Sequence, residues 1–130
     1  TSESFVEPNG IITVEQAEML SDNWTKFRKP VVDSAAQKQG REQDDRSTFW
    51  NIDDIQNYIR YAKKSSDSLG YTMTGMRVYL GVYGEDADKN KKNLTTMFIV
   101  PTGHKTISKA STLNFSFQSN DTLPVPPLNK

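Results

Sequence analysis

The residues that could do chemistry are few, and their spacing limits what they could do. His104 is the one histidine of the 130-residue chain, and there is no cysteine. Disulfides, thiolate zinc sites and cysteine nucleophiles are therefore excluded, as is any two-histidine metal site. A serine or threonine nucleophile needs a base beside it. His104 stands in the turn-like run Pro101-Thr102-Gly103-His104-Lys105, where an exposed polar side chain is expected rather than a catalytic one. Asp86, Asp88 and Asn90 alternate like the first three ligands of an EF-hand loop. The match then fails, because Lys91 stands at the turn glycine and Met97 at the bidentate glutamate. The pairs Asp44-Asp45 and Asp53-Asp54 are sequence neighbours. Adjacent side chains point apart, so neither pair forms an acid–base dyad by itself. No Gly-rich phosphate loop and no nucleophile elbow occurs. The sequence thus predicts no catalytic residue, no metal and no cofactor.

One cluster remains. Arg77, Tyr79 and Tyr83 project from one face of an alternating segment, and aromatic and basic side chains on a sheet can stack rings or clamp an anionic group. With His104 they are the candidate ligand contacts. The competing reading is that the tyrosines cover the sheet with their hydroxyls at its edge, while Arg77 pairs with a carboxylate.

The chain as a whole sets further limits. Sixteen basic residues balance sixteen acidic ones, so no net field draws it to nucleic acid or an anionic membrane. Apolar residues make up 35% and mean hydropathy is -0.68, but thirteen aromatics (6 Phe, 5 Tyr, 2 Trp) argue for a packed domain. The longest apolar run, Met97-Phe98-Ile99-Val100, is far short of the ~20 residues that span a bilayer. The polar start with Glu3 and Glu7 is unlike a secretory leader. The cytoplasm is the expected compartment, with a leader cleaved upstream of Thr1 left open.

Two helices must position whatever the strands carry. Thr13 and Gln16 form a capping box, and Val14, Ala17, Leu20, Trp24, Phe27 and Val31 follow at helical spacing. This predicts a helix over 13–29 with Trp24 at the centre of a buried stripe, stopped by Pro30. Residues 33–46 read as a loop with at most a short helical turn. Asn51 caps a second helix over 52–68, striped by Ile52, Ile55, Ile59, Ala62 and Leu69 and stopped at Gly70. The period then changes to two, giving strands at 75–83 and 94–101, the second ended by Pro101. Leu113, Phe115 and Phe117 make a further alternating trio, so 112–118 is a candidate third strand. The expected fold is α+β, with both helices packed on a small antiparallel sheet.

The run Gly75-Met76-Arg77-Val78-Tyr79-Leu80-Gly81, followed by Thr95-Thr96-Met97-Phe98-Ile99-Val100-Pro101-Thr102, resembles a pattern in small uncharacterised bacterial domains of the Bacteroidota type. A helical first half precedes the strand there as well. The resemblance implies no activity and no functional residues.

The expected organisation is one domain over 1–118 and an extended arm over 119–130. The prolines of Pro124-Val125-Pro126-Pro127 cannot continue a ladder. Phe115, Phe117 and the Pro124–Pro127 segment are therefore the candidate assembly arm. A non-catalytic interaction or self-assembly subunit is the favoured reading, with a homo-oligomer or another protein as partner. The alternative is a small-ligand protein using the face around Arg77.

Overall fold

The computed structural model describes residues 5–106 and 121–130. The chain divides into two compact units, Thr1–Asp44 and Asp45–Lys130. Among the described residues there are three helices and a small antiparallel sheet of four strands, an α+β fold. The candidate strand at 112–118, with Phe115 and Phe117, lies outside the described residues.

In the first unit, α1 spans Val14–Phe27 and starts at the expected capping box, in which the Thr13 hydroxyl and the Gln16 amide group each accept from the other's backbone N–H. The chain does not loop after Pro30. It re-enters a helix, α2 (Lys29–Gln37), with Pro30 in its first turn. There a missing amide hydrogen removes no helical bond and the fixed φ suits the helix, so Pro30 begins a helix as well as ending one. Lys29 pairs with Asp33, whose carboxylate also accepts the Asp44 N–H at 3.0 Å. The lysine first, and then this backbone bond, hold the Asp33 carboxyl below its ordinary value. The stripe of α1 differs from expectation. None of its residues is buried, Trp24 is half-buried, and Val14, Leu20 and Phe27 are exposed.

In the second unit, α3 occupies Ile52–Ser68, capped by the Asn51 side chain on the Asp54 N–H and followed by Gly70 at φ +83°. Its buried stripe is Tyr58, Ala62 and Ser66. That is rotated from the predicted one: Ile55 and Ile59 are half-buried, while Ile52 and Leu69 are exposed. Strand β1 (Tyr71–Val82) pairs antiparallel with β2 (Thr95–Lys105). Between Met73 and Gly75 the register steps two residues on β1 against one on β2. This bulge keeps Tyr71 and Met73 on the same face as Met76, Val78, Leu80 and Val82.

Pro101 does not end β2; the strand runs on to Lys105. The Pro101 carbonyl accepts the Leu123 N–H at 2.9 Å. The nitrogen of a strand residue points to the same edge as its carbonyl, so the missing donor faces the C-terminal segment and not β1. That segment carries β3 (Asp121–Thr122) and β4 (Leu128–Asn129), both paired with β2 on the edge away from β1. Residues 121–130 therefore do not leave the sheet as an arm. Thr122 and Leu128 are six positions apart where their partners Thr102 and Ile99 are three apart, and the excess lies in the stretch that contains Pro124, Pro126 and Pro127. Leu123 and Val125 are buried with Tyr58, Ala62 and Ile99 in the core, flanked by Trp50, Ile55, Tyr71, Met73 and Leu128. Beneath them the Tyr58 hydroxyl donates to the carbonyls of Pro126 (3.0 Å) and Ile99 (3.3 Å), joining helix, tail and central strand.

Two predictions follow from this packing. A β-carbon on Gly103 would lie 2.0 Å from the Thr72 carbonyl oxygen. Gly103→Ala must push two backbones apart, and urea unfolding is expected to show a loss at or above the ~1–3 kcal/mol of ordinary overpacking. Burial, and to a lesser degree Tyr61, raise the pKa of Tyr58 above the ordinary phenol value. The folded state thus holds this proton more tightly than the unfolded state. Its contribution is complete below about pH 10 and is lost as pH rises through the elevated value. The alkaline fall in melting temperature is expected to be steeper for the native chain than for Tyr58→Phe. At neutral pH the same variant strands a buried carbonyl and should lose roughly 1–3 kcal/mol.

Candidate interaction surface

The first two strands present two unlike faces. On one, Arg77, Tyr79, Gly81 and Tyr83 lie with Thr96, Phe98, Val100, Thr102 and His104 across the register. The structure places all four candidate ligand residues on this face but does not bring them together. Arg77 and Tyr83 are six positions apart, roughly 20 Å along a strand. His104 lies four positions from Val100, the partner of Arg77, roughly 13 Å away. Its Nδ1 sits 2.9 Å from the Lys105 carbonyl oxygen.

The tyrosine hydroxyls are occupied by the tail. Tyr79 stacks on Phe98, with ring centroids 5.4 Å apart, and its hydroxyl lies 3.0 Å from the Thr122 hydroxyl. The Tyr83 hydroxyl donates to Asn129 Oδ1 at 3.2 Å and accepts from Thr96 Oγ1 at 3.2 Å. Asn129 Nδ2 in turn donates to the Met97 carbonyl at 2.9 Å. These rings and hydroxyls fasten residues 121–130 to β2, which is the sheet-covering reading of the tyrosines. Arg77 is exposed and forms no hydrogen bond or ion pair with another described residue.

The other face carries the feature that sequence reasoning missed. Met76, Val78, Leu80 and Val82 are 41, 56, 72 and 59% exposed, and Met97 beside them is half-buried. Seventeen helical residues of α3 reach about 25 Å, whereas the twelve residues of β1 extend about 40 Å. The helix covers the Tyr71 and Met73 end and leaves the distal end open. Comparing those two lengths would have found the gap in the sequence. Among the described residues β1 also pairs on one edge only, with β2.

Among the described residues no three His, Asp or Glu side chains gather to hold a metal ion, and no helix is long and apolar enough to cross a membrane. An open groove of about 240 Å³ lies on α1, lined by Leu20, Asn23, Trp24, Phe27 and Arg28. Comparison of the chain with protein-family models, curated proteins and solved structures gives no match.

The two roles separate by mutation. Tyr83→Phe removes the hydroxyl that accepts from Thr96 and donates to Asn129, leaves the direct Asn129–Thr96 bond in place, and should cost about 0.5–1.5 kcal/mol in urea unfolding. Arg77→Ala should stay within about 0.5 kcal/mol of the native chain, as an exposed side chain does.

Proposed function

We propose that this protein is a non-catalytic interaction subunit that associates through the distal part of β1, with copies of itself as the first partner. The supporting observation is the row Met76, Val78, Leu80 and Val82, exposed along a strand that pairs on one edge only among the described residues. Contiguous apolar surface of this kind marks association sites, and an unpaired edge is a template for another chain. Balanced charge favours a protein partner over nucleic acid or an anionic membrane. The tail, proposed from sequence as the assembly element, serves its own sheet through Leu123 and Val125. The binding of a small ligand around Arg77 gains no support from side chains that do not converge.

Light scattering tests the proposal. The native chain is expected to show a mass above the 14.7 kDa of one copy. The double variant Val78→Lys/Leu80→Lys should return to one copy with its melting temperature retained. A native chain of one-copy mass at all concentrations, or an unchanged mass in the lysine variant, overturns it.

A further inference from the structure

We infer that the partner of β1 is the β1 strand of a second copy, paired antiparallel about a two-fold axis through Tyr79. This rests on the association proposed above and specifies its geometry.

Three features of the strand select the register. The first is which backbone groups face away from β2. The Tyr83 N–H donates to Leu94 and its carbonyl accepts from Asn93. The pairing then runs without a shift from Gly75 to Val82, so Arg77, Tyr79 and Gly81 also turn their backbone groups to β2. Met76, Val78, Leu80 and Val82 turn theirs outward. The second is the bulge between Met73 and Gly75, which limits a regular ladder to Met76–Val82. The midpoint of that stretch is Tyr79. An axis there sets Met76 opposite Val82 of the other copy and Val78 opposite Leu80, and the same two pairs recur by symmetry. Each such pair exchanges two hydrogen bonds, so every outward N–H and carbonyl in the stretch is matched. An axis at Val78 sets Val82 against the bulge, and one at Leu80 runs Met76 past the strand end to Gly84. An axis between residues would set outward-facing groups against inward-facing ones.

The third is the side chains. The stretch holds no proline, lysine or acid, the residues that ordinarily guard an edge. Its one charge, Arg77, falls opposite Gly81, which has no side chain to oppose it. The two Arg77 positions lie four residues apart, roughly 13 Å along the strands, beyond the ~8 Å screening length at physiological salt. The diagonal neighbour of Arg77 is Tyr79 of the other copy, within reach of a long side chain. On the opposite face the apolar rows of the two copies become contiguous.

The cysteine-free chain makes the test direct. A residue on the axis faces its own copy in a pair without hydrogen bonds, with Cα atoms about 4.5 Å apart, inside the roughly 4.4–6.8 Å range of disulfides. Under mild oxidation Tyr79→Cys is expected to give a covalent dimer. Because this change removes the Phe98 stacking, a second pair is needed. Val78→Cys mixed with Leu80→Cys should cross-link, their Cα atoms about 5.5 Å apart. Val78→Cys alone should not, its copies being diagonal at about 7–8 Å. Lys63→Cys on α3 gives the rate of chance collision. Leu80→Pro, which removes only an outward donor, should restore one-copy mass. If the native chain associates and the lysine variant does not, yet neither cysteine test exceeds Lys63→Cys, edge pairing is overturned while association through this face stands. A native chain of one-copy mass overturns both.

Discussion

The second unit is organised by an imino acid in its central strand. Pro101 has no hydrogen to give on the edge away from β1, and its carbonyl there takes the Leu123 N–H. The chain alongside cannot form a regular ladder and divides into two short pairings, β3 and β4. The stretch between them carries prolines of its own, so on both sides of this edge the missing donors coincide. What the backbone cannot supply, side chains do. Leu123 and Val125 turn into the core, and the Tyr58 hydroxyl satisfies the Pro126 carbonyl from below.

Much of this was legible in the residues where the signal was local. The capping box at Thr13, the asparagine cap at Asn51 and the glycine stop at Gly70 fix helix ends through bonds made within one turn. The change of period after Gly70 gave the hairpin for the same reason. Pro30 ends the first helix as expected and Pro101 does not end its strand, because a proline is local in what it forbids but not in what it permits. Pro30 fits the first turn of a new helix, and Pro101 fits a strand whose neighbour on that edge is irregular. The burial of Leu123 and Val125 depends on residues more than twenty positions away and leaves no local trace. The stripe of α3 is offset because Tyr58 is apolar over most of its surface, so counting aliphatic positions alone turned the helix too far. For the candidate site, the sequence placed Arg77, Tyr79 and Tyr83 on one face, whereas His104, expected in a turn after the second strand, lies within β2 on that same face. Distance along a strand then separated them, and their hydroxyls went to a segment the alternation could not foresee.

The two faces of β1 divide the labour. The tyrosine-bearing face is spent on holding the C-terminal segment to β2, through a stacked ring and a chain of hydroxyl and amide contacts. The apolar face is finished at one end by α3 and unfinished at the other. An edge strand with that composition is ordinarily a liability in water, and the absence of the usual guards over Met76–Val82 is what makes an assembly role coherent with the rest of the fold.

The hydroxyl bond from Tyr58 to Pro126 spans 68 residues, and it bears on the order in which the molecule forms. The β1–β2 hairpin joins strands that are neighbours in sequence and can form early, since local closures lose less chain entropy than distant ones. Leu123 and Val125 are synthesised after every other member of their cluster. Until they dock, β2 is unpaired on its outer edge as β1 is on its own, and Ile99 lacks its cover. The nascent hairpin thus passes through a stage with two open edges, the stage at which such chains aggregate. Docking of the tail closes the β2 edge, and among the described residues β1 stays paired on one side only.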